Sequence, residues 1–255
     1  MCLILFAWNP GAEEQLIVAA NRDEFYKRPS QNAHFWQDNE QLLAGRDLQQ
    51  HGTWLGVTRG GKFAAVTNFR RPDKKQYPLS RGALTAQYLI GEQKPADYLQ
   101  ELQQNHDQYA GFNLLVGDSS SLYYYSNRSN QPPCELSSGV YGLSNHLLNT
   151  PWPKVTTGVD SFSKIVNLDY DSPSAKEEAL LTLLQNDQQA EESLLPETGV
   201  GKMIEKLLSP LFIKSPGYGT RTSTILRVQG NGGISFVEQN YSEGGTPAER
   251  SRFAL

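Results

Sequence analysis

Cys2-Leu3-Ile4-Leu5-Phe6-Ala7-Trp8 and Gln15-Leu16-Ile17-Val18-Ala19-Ala20-Asn21 are two apolar runs around Asn9-Pro10-Gly11, and the second continues into Arg22-Asp23-Glu24. Proline fixes one turn residue and glycine tolerates positive φ, so the two runs are predicted to pair as an antiparallel hairpin. Pairing outward from the turn carries Asn21 to Asp23 toward Cys2. A thiol, a cation and two carboxylates then share one end of a sheet.

That grouping defines a candidate N-terminal-nucleophile site. A free thiol has a reference pKa near 8.5 and is only about 3% thiolate at pH 7. Bringing it to about 7 takes roughly 2 kcal/mol of differential stabilisation, which one cation in a partly dry site supplies, and Arg22 is the nearest by sequence. Removal of Met1, favoured by the small second residue, leaves an α-amine with a reference pKa of about 7.7–8.0 on the thiol's own residue, where it serves as general base. Asp23 would hold that amine. The plain alternatives are a Cys that is merely a small buried hydrophobe and an Asn-Arg-Asp-Glu run that is a solvated, ion-paired loop.

The chain has 255 residues, 38% of them hydrophobic and 20% charged, an ordinary composition for a globular chain; a single domain spanning 1–255 is expected. The net charge of −4 offers no electrostatic reason to expect nucleic acid as partner. No apolar run approaches the roughly 18–20 residues of a membrane span, so no integral membrane segment is expected. The opening run lacks the basic leader of a secretory signal. Two cysteines, Cys2 and Cys134, make no disulfide framework, and a cytoplasmic location is the expectation. Neither cysteine has a partner at zinc spacing, and His34, His51, His106 and His146 form no metal motif; no metal and no cofactor is expected.

Further along, Phe25 to Gln41 reads as an irregular crossing or short strand. His51 to Val57 is a strand with two glycines, a pattern that marks close approach of another backbone or a ligand. Gly60-Gly61 turns into Lys62 to Asn68, a run apolar enough to be buried on both faces. Asn68 to Lys75 reads as a charged, mostly solvated loop, with Asn68 at the end of the buried strand. Helices are predicted from Ser80 to about Ile90 and from Pro95 to about Asn105. A hairpin follows over Gly111 to Ser126, then an apolar run that stops on Asn145. Helices are expected from Thr150 to about Asn167, from Ser174 to Gln185 with Ser174 as cap, and from Gly199 to Leu208. A last hairpin joins Tyr218–Val228 to Ile234–Glu238. Hairpins without regular alternation of strand and helix argue for an α+β fold with antiparallel sheets and segregated helices. No glycine-rich phosphate loop is present, which disfavours a doubly wound nucleotide-binding fold.

Five of these stretches together, Met1-Cys2-Leu3-Ile4, Asn21-Arg22-Asp23-Glu24, Gly52-Thr53-Trp54-Leu55-Gly56-Val57, Thr67-Asn68-Phe69-Arg70 and Tyr218-Gly219-Thr220-Arg221-Thr222-Ser223-Thr224, resemble the NRDE family, whose eukaryotic members are called transport and Golgi organisation protein 2. That family in turn is similar to the cysteine N-terminal-nucleophile hydrolases, amidases with a four-layer αββα sandwich. The resemblance implies Cys2 as nucleophile, Asp23 as the carboxylate at its amine, Asn68 in the oxyanion hole, Asn145 as a second active-site asparagine and Arg221 as the late arginine beside the nucleophile. Those amidases carry an early arginine three residues before the aspartate, where this chain has Ala20, so Arg22 takes that part by proximity. Asn21, Arg22 and Trp54 are expected to bind substrate.

The chemistry implied is acyl transfer from an amide or thioester through an acyl-enzyme on Cys2, with a small-molecule acyl substrate as partner. The alternative is a non-catalytic carrier. Eukaryotic members of the resembled family are implicated in haem trafficking and lipid homeostasis, which implies a haem or lipid-like ligand in the same place. A cysteine–histidine hydrolase pairing Cys2 or Cys134 with His146 or His51 is a third and weaker reading.

Overall fold

The opening turn behaves as its residues require: Gly11 takes φ of 85° and the two runs close into β1 (Cys2–Trp8) and β2 (Glu14–Phe25), antiparallel, with Cys2 opposite Arg22 and Leu3 opposite Asn21. A computed structural model of the chain describes residues 2–73 and 75–255. In chain order there follow β3 (Ser30–Trp36), β4 (Asn39–Asp47), β5 (Leu55–Thr58), β6 (Phe63–Asn68), helices α1 (Arg81–Ile90) and α2 (Pro95–Asn105), then β7 (Phe112–Gly117), β8 (Leu122–Ser126), β9 (Cys134–Glu135) and β10 (Gly139–Leu143). Helices α3 (Pro153–Val166), α4 (Pro173–Leu184) and α5 (Lys202–Leu207) come next, and β11 (Lys214–Ser215), β12 (Tyr218–Gln229), β13 (Ile234–Tyr241) and β14 (Pro247–Ala254) finish the chain.

The strands form two antiparallel sheets of seven. One runs β10-β1-β2-β12-β13-β14 with β11 on β12, and the other runs β3 to β9 in sequence order. Strand alternation sorts the apolar side chains into three layers. Ile4, Phe6 and Trp8 of β1 face Leu43, Val57 and Leu115 of the opposing sheet and form the core between them. Leu3 and Leu5, on the other face of β1, pack under Trp152, Val155 and Phe162 of α3 and Leu180 and Leu184 of α4. Ala64, Val66, Leu114 and Val116 of the second sheet meet Leu84 and Leu89 of α1 and Leu99 of α2. The result is the expected α+β, four-layer αββα sandwich, and its buried strands are apolar on both faces because each sheet is covered twice.

Several local expectations are corrected. Phe25 to Gln41 holds the end of β2, all of β3 and the start of β4. As an edge strand with one polar face, β3 lacks the apolar run that would announce it. The cap of α4 is Ser172, whose Oγ accepts from the Ala175 amide at 3.2 Å, and Pro173 occupies the first turn. In the segment read as a solvated basic loop, Arg70 is buried and ion-paired to Glu205 at 2.5 Å, while Lys74 lies outside the described residues. Among the described residues no helix is long and apolar enough to cross a membrane.

Candidate active site

A cavity of about 690 Å³ opens between the ends of the two sheets, and Cys2, Arg22, Asp23, Trp54, Asn68 and Arg221 all line it. That volume lies within the range of small-molecule sites. Each residue arrives by a different route. Cys2 begins β1, and the hairpin register sets Arg22 beside it on the same face. Asn68 ends β6, and Trp54 precedes β5, packed into both the inter-sheet core and the layer under α1. Arg221 is the extra residue of a β-bulge: Thr220 pairs with Asp23 and Thr222 with Arg22, leaving Arg221 unpaired in the ladder. A bulge re-aims its side chain. The Arg221 guanidinium donates to the carbonyls of Arg28 and Phe25.

The charges are partly cross-linked. Arg22 lies 3.8 Å from both Glu24 and Asp47, and Arg28 donates to Asp47 at 2.5 Å. Arg221 and Arg81, the latter in the first turn of α1 and on the cavity wall, have no carboxylate within 4 Å among the described residues; Arg81 instead donates to the Gly111 carbonyl at 3.3 Å. Asp23 is buried, with Thr220 Oγ1 donating to its Oδ1 at 2.7 Å and Tyr218 donating to its carbonyl at 3.2 Å. Burial pushes the Asp23 carboxyl above the usual carboxylate range, and the Lys154 ammonium is the first of the groups that oppose it.

Two expectations about these residues change. Arg22 does not bring the thiol toward neutrality. Burial raises the Cys2 thiol and the Asp23 charge adds to the rise, which outweighs the attraction of Arg22. Asn21 does not face the cavity. Strand alternation turns it to the opposite side of β2 from Arg22, where its amide donates to the Leu184 and Leu211 carbonyls at 2.8 Å and its Oδ1 accepts from Ser223. It ties β2 to β12 and the helix layer. Met1, on whose removal a free α-amine depends, lies outside the described residues.

Asn145 stands one step behind the wall. Its amide donates to the Asn68 carbonyl at 3.0 Å, its own carbonyl accepts from the Arg70 amide at 2.6 Å, and neighbouring Ser144 donates to the Cys2 carbonyl at 3.0 Å. The Ser144-Asn145 pair therefore fixes the backbones of both Cys2 and Asn68. His146 is held by Thr150 and packs on Phe69 and Trp152, and Cys134 is exposed on β9 with its sulfur 3.7 Å from the Tyr124 carbonyl, so neither joins the cavity.

Residues 1–243 match the protein family described as Transport and Golgi organisation 2. The chain belongs to that family. It is 36% identical over 260 residues to the Transport and Golgi organization protein 2 homolog of Bos taurus and 36% identical over 259 residues to that of Homo sapiens, in each case covering 94% of this chain and 93% of the relative. The Drosophila melanogaster protein of the same name is 27% identical over 259 residues, covering 94% of this chain and 92% of its own. Among solved structures, the chain is similar to a Caenorhabditis elegans N-acylethanolamine-hydrolyzing acid amidase ortholog (TM-score 0.45, 10% identity, covering 88% of this chain and 92% of that one). It is also similar to a mutant conjugated bile acid hydrolase from Clostridium perfringens (TM-score 0.46, 9% identity, covering 100% and 92%).

In this family member the wall combines one thiol, an asparagine at a strand end and two arginines with no carboxylate within 4 Å among the described residues, a set suited to an electrophilic carbonyl and to negative charge on or near it. Sequence reasoning passed over Arg81, Lys154 and the buried Arg70–Glu205 pair. Arg81 carried a readable signal, since Ser80 as helix cap puts it in the first turn, at the mouth of α1. Lys154 and Glu205 carried none: a charged residue in a helix reads as solvated until packing shows otherwise.

Proposed function

We propose that this chain is a cysteine hydrolase or acyltransferase acting on an amide or thioester, with an acyl-enzyme formed on Cys2. The observation that carries the reading is the convergence of Cys2, Asn68, Arg22 and Arg221, from four separate segments, on one cavity of small-molecule size. In the step envisaged, Cys2 Sγ attacks the carbonyl carbon and its proton passes to the α-amine left by removal of Met1. The Asn68 amide stabilises the oxyanion, where losing one donor typically costs about 2.7–4 kcal/mol. The carbon–nitrogen or carbon–sulfur bond breaks as that amine protonates the leaving group, and water or a second nucleophile then takes the acyl group from sulfur.

The test is intact mass spectrometry of the protein incubated with an acyl p-nitroanilide and with an acyl thioester. A species lacking Met1 and heavier by one acyl group, absent from Cys2→Ala, is expected. Retained methionine with no adduct from either donor would sink the reading.

A second reading is a carrier in which the same cavity, of small-molecule size, holds a haem or lipid-type ligand without chemistry. Haem titration separates the two: saturable binding with a shifted Soret band, undiminished in Cys2→Ala, is the carrier's signature.

A further inference from the structure

Lys154 is a buried amine that the acyl-transfer chemistry above leaves unused. Its residue is only 3% exposed, and its Nζ makes no hydrogen bond among the described residues. Lysine ordinarily extends its stem until the ammonium reaches water, so an ammonium held inside without a partner bears an uncompensated desolvation cost. A titratable group buried at such a cost beside a cleft marks a candidate for a functional part.

The packing of α3 shows which end of the fold that charge belongs to. Gly158 leans on β1 so closely that an added Cβ would meet Leu5 Cδ2 at 3.0 Å, and Trp152 and Val155 join Leu3 and Leu5 in one apolar cluster. The chain enters α3 from Ser144, which holds the Cys2 carbonyl, so the helix starts at the Cys2 end of β1. Lys154 is four residues before Gly158 and therefore on the same helix face, one turn nearer Cys2. Helical side chains lean toward the N-terminus, which directs its stem further that way. The charged and titratable groups whose fields reach it are Asp23 from β2, Cys2 from β1, Arg70 from the segment after β6 and Glu205 from α5. Arg70 and Glu205 neutralise one another at 2.5 Å, and the Arg70 guanidinium stacks over the Trp152 ring. The uncompensated fields left at the ammonium are those of Asp23 and Cys2.

We propose that Lys154 is a positioning residue of the Cys2 site: the buried cation behind Asp23 that allows Asp23 and the Cys2 thiolate to carry negative charge side by side. Without it, Asp23 loses the foremost of the charges that oppose its burial, and the Cys2 thiolate forms beside a less compensated carboxylate. The proposal concerns the same thiol as the acyl-transfer reading, but its test uses no turnover, so the two fail separately.

The experiment is the pH dependence of Cys2 alkylation by iodoacetamide in a Cys134→Ser background. A sulfur–carbon bond forms, iodide leaves and the thiol proton passes to buffer, so the rate reports thiolate alone. Below about pH 8, where the wild-type amine carries its charge, Lys154→Met is expected to lose rate about tenfold, while Lys154→Arg keeps the cation and recovers most of it. Identical rates on that limb in wild type and Lys154→Met would overturn the proposal, because a merely structural lysine changes stability and not thiol ionisation. Should Lys154→Met fail to fold, the wild-type amine is read by NMR with isotopically labelled lysine, its signal assigned by its loss in Lys154→Arg. A midpoint near 8 that falls in Asp23→Asn supports the proposal, and a midpoint near 10.5 that ignores that substitution defeats it. Alkylation that shifts as expected in a protein forming no acyl adduct would end the hydrolase reading and leave the role of Lys154 standing.

Discussion

Burying the amine of Lys154 depresses its pKa from 10.5 to about 8, with desolvation the largest cause and Asp23 the first group to oppose it. The direction sets a sign for stability. Between about pH 8 and 10.5 the unfolded chain keeps a proton that the folded chain has lost, so folding becomes more favourable as pH rises through that window. Below about 8 both states are protonated and the whole burial cost is present, about 3 kcal/mol at ~1.36 kcal/mol per unit. Relative to wild type, Lys154→Met is therefore expected to be favoured most at pH 7.5, with its margin shrinking by up to that amount by pH 10.5. Urea unfolding of both proteins at pH 7.5, 9 and 10.5 checks this; a pH-independent difference would mean that the amine is not buried. At this scale the site was half legible. Cys2, Arg22, Asp23, Asn68, Trp54 and Arg221 all announce themselves at strand ends or in a conspicuous run, and all reach the cavity. Asn21 belonged to the same run and was misread, because strand alternation sends adjacent residues to opposite faces and the run does not say which face is open.

Elements meet at glycines whose role the sequence hinted at. An added Cβ on Gly52 would meet the Gly82 carbonyl carbon and oxygen at 2.4 Å, so the segment before β5 and the first turn of α1 touch backbone to backbone. That contact holds Ser80, Arg81 and Gly82 against the cavity, and Thr85 donates to the Thr53 carbonyl to complete it. Gly52→Ala is expected to cost about 1–3 kcal/mol as the helix start is pushed away, and to change access to Cys2 along with it. Gly60→Ala, whose Cβ would meet only Thr58 Oγ1 at 3.8 Å, is the control and should cost far less. Thermal denaturation together with alkylation of Cys2 distinguishes them. Glycine was rightly a sign of close approach, but the strand expected over His51–Val57 starts only at Leu55, leaving Gly52 outside it, and the partner, 30 residues downstream, was not readable. Strand β14 shows the opposite failure. It is largely exposed and charged, carries no apolar alternation, and is a strand because β13 offers an open edge to pair with.

At the scale of the whole molecule, the core between the sheets takes residues from β1 and from β13, near opposite ends of the chain, which favours cooperative folding of 1–255 as one unit. Calorimetry is expected to show one transition with equal calorimetric and van't Hoff enthalpies. Phe6→Ala, which removes a fully buried ring stacked on Tyr141 at 5.1 Å, should lower the stability of that single transition by about 3–5 kcal/mol. Two separable transitions, only one of them moved by Phe6→Ala, would divide the chain into independent domains.

What the sequence determined by itself is local and periodic: the opening hairpin, the strands apolar on both faces, most of the helices, and through them an α+β fold of antiparallel sheets that brings Cys2 and the Asn21-Arg22-Asp23-Glu24 run to one sheet end, the αββα layering being implied by the family resemblance. Turn chemistry and side-chain alternation act over a few residues, and a single chain displays them openly. The charge state of the site was decided only by tertiary structure. Whether Arg70 and Lys154 are solvated or buried, and whether Arg22 or desolvation governs the thiol, depends on what the helix layers seal off. Desolvation is a property of the assembled surroundings and leaves no mark on the order of residues.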